Sequence, residues 1–146
     1  MIRPAEPTDT DAVTEIARTA FEHYIPRIGV PPIPMLVDYA AAITAAKVWV
    51  AADAGSVLGF VLLEDEPDSL LLDVLAVAPT AQGQGIGAAL LTFTETEARS
   101  RGYHRITLYT NEAMTENLAY YPHHGYTETA RESIQGRHRV FFEKQL

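Results

Sequence analysis

Val13, Ile16, Ala17, Ala20, Phe21 and Tyr24 recur at the spacing of one helix face, so "TDTDAVTEIARTAFEHY" is predicted to be an amphipathic helix capped by Thr8 or Asp9. The preceding "MIRPA" reads as a short strand. Gly29 and the prolines at 31, 32 and 34 make "IPRIGVPPIPM" a loop, after which "MLVDYAAAITAA" restarts a helix. From Lys47 the pattern turns to β. "KVWVAAD" and "VLGFVLLE" form a hairpin about "AGS", and "DSLLLDVLAV" is apolar along most of its length, as a central strand buried on both faces would be. Ile86, Ala89, Leu90 and Phe93 mark the stripe of a further helix that Gly102 ends. "HRITLYT" is a strand, "TENLAYY" a short helix, and "GYTETARES" and "RHRVFFEK" a closing pair of strands around Gln135 and Gly136.

This order gives an α/β protein of about seven strands and about four helices. Hairpin links demand antiparallel pairing, while the helix between "LLLDVLAV" and "HRITLYT" permits one parallel pair, so the expected sheet is mixed. With 146 residues, no repeat and no linker, one domain over 1–146 is expected.

Eleven Lys and Arg against nineteen Asp and Glu leave a formal charge of −8, which disfavours nucleic acid and would attract a cationic small molecule or peptide. There are no cysteines, and the five histidines lack any ligand spacing, so no metal is expected. Without a signal-like or membrane-length apolar segment, a cytoplasmic protein with no membrane partner is expected.

The chemistry concentrates in "QGQGIGA", residues 82–88, between the apolar strand and the helix. A strand running through glycines into a helix N-terminus is an anion site, because the first helical N–H groups lack partners and the helix dipole is positive there. "GQGIGA" also satisfies the loose dinucleotide fingerprint, with Glu112 as a ribose acid. However, "APTAQ" separates strand from glycines, and the chain is too short for two mononucleotide halves.

"VAPTAQGQGIGAAL" more closely resembles the pyrophosphate-binding segment of the GNAT superfamily of acyl-CoA N-acyltransferases, with Gln82, Gly85 and Gly87 filling the pattern Gln or Arg, two residues, Gly, one residue, Gly or Ala. The later "NLAYYPHHGY" is similar to the family's Tyr-then-Gly-aromatic segment. The resemblance implies a mostly antiparallel sheet with a central splayed parallel pair. It places the phosphates of acetyl-CoA on Gln82, Gly83, Gln84, Gly85, Ile86 and Gly87, and the pantetheine arm beside Leu75, Ala76 and Val77, with backbone groups of Leu75 and Val77 pairing with it. Relatives often carry Arg or Lys in the loop. Here there is none, which leaves more to backbone N–H groups.

The resemblance further implies acetyl transfer to a primary amine of a small molecule or peptide by direct attack, with a non-catalytic acyl-CoA-binding or regulatory domain as the alternative, in a monomer or homodimer. Such an amine is mostly protonated at neutral pH. Asp73, the one charged residue inside "LLLDVLAV", is the candidate proton acceptor, although relatives often have Glu one position earlier, where this chain has Leu72; ordered water is the alternative relay. A backbone N–H near Val77 is placed for the oxyanion. Tyr121, four residues before Gly125 and Tyr126, is the candidate donor to the departing sulfur. Asn117 lies on the same helix face, while the family's more usual Asn position is Met114. Pro122 is expected to end the helix early and re-aim Tyr121, which makes Tyr120 the alternative donor. His123 and His124 read as surface positions. The acceptor cleft falls to His23, Tyr24, Arg27 and "GVPPIPM", with Tyr24 in the core and Arg27 facing an acceptor carboxylate or solvent.

Overall fold

In a computed structural model that describes residues 1–146, one seven-stranded sheet carries helices on both faces. The strands are β1 (Ile2–Pro4), β2 (Val48–Asp53), β3 (Ser56–Asp65), β4 (Leu70–Val77), β5 (Arg105–Asn111), β6 (Thr127–Ile134) and β7 (Arg137–Gln145). Their order is β1-β2-β3-β4-β5-β7-β6, and every pairing is antiparallel except β4 with β5. The expected mixed sheet with one central parallel pair is therefore present. No helix is long and apolar enough to cross a membrane.

The helices are α1 (Thr10–Phe21), the single turn α2 (Ile25–Ile28), α3 (Tyr39–Thr44), α4 (Ile86–Ser100) and α5 (Thr115–His123). Their boundaries correct the sequence reading at several points. A 3₁₀ turn, Pro7–Asp9, precedes α1, and Asp9 does not cap α1 with its side chain. Its carboxylate instead accepts the Glu6 N–H (2.8 Å) and pairs with Arg3 (2.7 Å). α3 starts at Tyr39 rather than near Met35, with Asp38 accepting the Ala41 N–H (3.1 Å) as a true cap. On α4 the buried stripe is Leu90, Leu91, Thr94 and Ala98, and Ala89 is exposed. Pro122 does not end α5, which continues to His123. Proline in the last turn removes only one late ladder bond there.

The core has two parts, one on each side of the sheet, and β4 contributes to both. Leu70 and Leu72 pack with Leu90 and Leu91 of α4, whereas Val74 and Ala76 pack with Val13 and Phe21 of α1. Residues two apart on a regular strand share a face, so something between Leu72 and Val74 must reverse the alternation. Leu62 of β3 faces Val74 while Leu63 faces Leu72, which leaves Asp73 as the extra residue of a β-bulge.

Candidate active site

β4 and β5 are in register only at Leu70–Ile106 and Leu71–Thr107, and beyond these pairs the strands part. The Ala78 N–H bonds to Leu58 O (2.8 Å), and Phe60 lies opposite Ala76 in the same register. By the alternation of an antiparallel ladder, the main-chain groups of Leu75 and Val77 therefore point away from β3 into the gap. Those of Ala76 turn towards β3, so Ala76 supplies wall rather than hydrogen bonds.

β4 runs out of the gap into the glycine loop. Gly83 and Gly85 hold φ of +80° and +79°, a left-handed backbone that side chains disfavour. Gly87 is helical and is small for a different reason, because a Cβ there would lie 2.7 Å from the Tyr120 hydroxyl. The first bond of the α4 ladder is Ala89 N–H to Gly85 O (3.0 Å), and the loop amides from Gln82 to Gly85 donate to no protein group. This leaves a run of free donors at a helix N-terminus, aimed where an anion would sit.

Loop, gap and α5 together bound an open groove of about 520 Å³. Every residue expected to hold coenzyme A or to act in catalysis lines it except Gln84, which is exposed, and Asp73; of the expected acceptor cleft, His23 and Tyr24 line it, whereas Arg27 and residues 29–35 do not. Asp73 lies in an adjoining narrow pocket of about 60 Å³ with Ile33, Pro34, Tyr109 and Thr110. Phe21, Leu75, Asn117 and Tyr121 line both spaces, so they form the partition between them.

Tyr121 is 7% exposed, and its ring packs against Tyr120, Tyr126 and Phe142. Its hydroxyl has no partner within the protein but is not sealed off, in contrast to the enclosed Tyr126 hydroxyl. Burial, reinforced by Tyr126, Tyr120 and Tyr24, pushes its pKa well above that of a free phenol. Asn117 gives its amide N–H to Thr110 Oγ1 (3.1 Å), which fixes the side chain at the partition. Burial also raises the Asp73 carboxyl, with Glu64 and Glu66 adding to the shift and the Tyr109 hydroxyl and Arg139 opposing it.

The structure redistributes several other expectations. Tyr24 is core, 6% exposed, as read from the sequence. Arg27 is exposed to solvent, as one of its two expectations had it, and there it pairs with Glu116 (2.6 Å). His123 is exposed, but His124 is half-buried and lines the groove, its pKa lowered by burial and by His123 and Lys144. Tyr109 and Arg139 were not singled out. No local signal could have found them, since Tyr109 reaches Asp73 because β5 is the neighbour of β4, and Arg139 reaches the Tyr109 ring through the pairing of β7 with β5.

A family model described as acetyltransferase (GNAT) domain matches residues 44–128. The chain is similar to the mycothiol acetyltransferase of Jonesia denitrificans, 37% identical over 82 residues, which are 55% of this chain and 26% of that protein. It is also similar to N-alpha-acetyltransferase 80 of Mus musculus, 38% identical over 72 residues, 49% of this chain and 21% of that protein. The chain thus spans about a quarter of the length of these curated relatives. Among solved structures, PaiA N-acetyltransferase from Thermoplasma acidophilum in complex with coenzyme A superposes with a TM-score of 0.83 at 18% identity, over 100% of this chain and 98% of that one. Ard1 from Thermoplasma volcanium does so with a TM-score of 0.79 at 19% identity, over 100% and 97%. At such identities the structural likeness speaks for the fold.

Proposed function

This chain belongs to the acetyltransferase (GNAT) domain family, and from that premise we propose that it transfers an acetyl group from acetyl-CoA to a primary amine by direct attack. The observation that carries the reading is the partition: Tyr121 and Asn117 stand between a groove fitted to a long anionic ligand and a narrow pocket holding a buried carboxylate. Coenzyme A fits the groove on three counts. The loop offers unpaired amides to a pyrophosphate, the β4 edge offers Leu75 and Val77 to an amide-bearing arm, and the volume lies within the usual range for ligand sites.

Acetyl-CoA supplies the acetyl group already activated as a thioester. Asp73 takes the proton that the ammonium must lose before its nitrogen can attack, and its raised pKa makes it a better acceptor than an exposed carboxylate. A main-chain N–H in the gap, from Leu75 or Val77, stabilises the oxyanion as the C–N bond forms. The C–S bond then breaks, and Tyr121 is placed to donate to the departing sulfur. A free phenol is a weaker acid than a thiol by about 1.5 pKa units, roughly 2 kcal/mol, and burial widens that difference. Tyr121 therefore acts chiefly as a hydrogen-bond donor that stays protonated across the working pH range.

The test is acetyl-CoA turnover against a panel of amines, with the acetylated product identified by mass spectrometry. A wild type that acetylates an amine, and slows on Tyr121→Phe with acetyl-CoA affinity kept, supports the reading. Tight CoA binding without turnover on any amine would instead assign a non-catalytic binding or regulatory role.

A further inference from the structure

Arg139 is the cation beside the narrow pocket that the protein leaves unpaired. Arg27 is committed to Glu116, and Arg131 to Glu128 and Glu112 (3.0–3.1 Å). Glu132 of β6 faces Arg139 directly in register, yet no ion pair joins them. The guanidinium lies instead over the Tyr109 ring, 4.5 Å from its centroid. Tyr109 in turn is a wall of the pocket that holds Asp73. Its own partner across the ladder is Phe141, two residues from Arg139, so strand register holds the stack on one face of the sheet. One aromatic ring thus has a buried carboxylate at its pocket side and a half-buried, uncommitted guanidinium over its face.

These two charges differ in sign and meet at one tyrosine: Asp73 lines the narrow pocket that Tyr109 walls, while Arg139, stacked on that ring, lines a second, surface pocket of about 190 Å³ with Glu112, Glu132 and His138. A simple alkylamine would use only Asp73 and leave Arg139 idle. An anion, by contrast, has little reason to approach a chain of net charge −8, with Glu64 and Glu66 near this pocket, unless a specific cation receives it. A guanidinium stacked on an aromatic ring is held flat and presents a fork of N–H donors that matches a carboxylate or a phosphate. We propose that the acceptor is an amine bearing an anionic group, with its nitrogen directed to Asp73 and its carboxylate or phosphate bound by Arg139. This assignment rests on the acetyl-transfer reading above and narrows the acceptor class within it.

The experiment measures kcat/KM for acetylation of ω-amino acids from glycine to 6-aminohexanoate, n-alkylamines of matched length, and 2-aminoethyl phosphate, in wild type, Arg139→Gln and Arg139→Lys. Calorimetry with coenzyme A checks that each variant keeps an intact groove. At the best chain length the anionic acceptor should outperform its alkylamine partner. Arg139→Gln should lower kcat/KM for the anionic acceptor by about 10- to 100-fold, the range for losing a hydrogen bond to a charged group. The alkylamine should lose clearly less, because it forfeits only the influence of Arg139 on the Asp73 carboxyl, and Arg139→Lys should recover part of the anionic acceptor's loss, since a point charge replaces the fork. Whether 2-aminoethyl phosphate or an ω-amino acid is preferred identifies the anion. Equal use of alkylamines and anionic amines, or an equal fall for both on Arg139→Gln, overturns the assignment while acetyl transfer stands. Absence of acetylation of any amine overturns the transfer reading, and this one with it.

Discussion

Gly87 and Tyr120 offer a sharp test of how the glycine loop is built. An alanine Cβ at position 87 would sit 2.7 Å from the Tyr120 hydroxyl, whereas the next neighbours, Tyr120 Cζ at 3.7 Å and Val77 Cγ2 at 3.8 Å, are at ordinary contact. The whole conflict is with one oxygen atom. The Tyr120 ring is held between Tyr121 and His124 (centroids 5.4 and 4.4 Å), so displacing it disturbs neighbours on both sides. Overpacking of this kind costs about 1–3 kcal/mol, partly offset by up to about 1 kcal/mol from replacing glycine in a helix. Gly87→Ala alone should therefore destabilise by about 0–3 kcal/mol. In a Tyr120→Phe background the same change should be neutral or stabilising, giving a coupling of about 1–3 kcal/mol in a double-mutant cycle by urea unfolding. Coenzyme A affinity, read by calorimetry, should follow the same pattern, because a displaced helix N-terminus carries its free amides with it. Additivity within about 0.5 kcal/mol would show that Tyr120 swings aside freely and would refute the steric account of Gly87.

At Gly85 the constraint is conformational, so Gly85→Ala should cost about 1–2 kcal/mol through its φ of +79°, and the cost should be the same whether residue 120 is Tyr or Phe. Tyr121→Phe should lower turnover by about 10- to 10³-fold with acetyl-CoA affinity unchanged; a slower Tyr120→Phe variant in the same assay would transfer the role to Tyr120. Asp73→Asn should lower turnover by about 10²-fold at neutral pH. Because burial raises the Asp73 pKa, the acid limb of the wild-type pH–rate profile should lie above the ordinary carboxylate range, and the Asn variant should lack it. The Arg3 hydrogen bond holds the Asp9 carboxyl below its usual value, so its contribution to stability is present above about pH 4 and is lost as pH falls through the depressed pKa. Unfolding midpoints measured down that range should flatten in Asp9→Asn.

Short-range information determined much of this protein. The seven strands, the Gly83 and Gly85 turn, the helix behind it and the position of Tyr121 on α5 were all legible, because each depends on residues within a turn or two of chain. Three features were not. "LLLDVLAV" reads as a uniformly buried strand, but its Leu70 and Leu72 serve one core and its Val74 and Ala76 the other, since pairing with β3 places a bulge at Asp73. The space requirement at Gly87 comes from Tyr120, on a helix reached only after β5. Arg139 acquires its place beside Asp73 and Tyr109 from the antiparallel register of β7 on β5. A strand's hydrogen-bonding partner lies far along the chain, and a shift of one residue in that pairing turns every side chain to the opposite face. Local pattern therefore names the elements, while the side chains that meet at the site are decided by register.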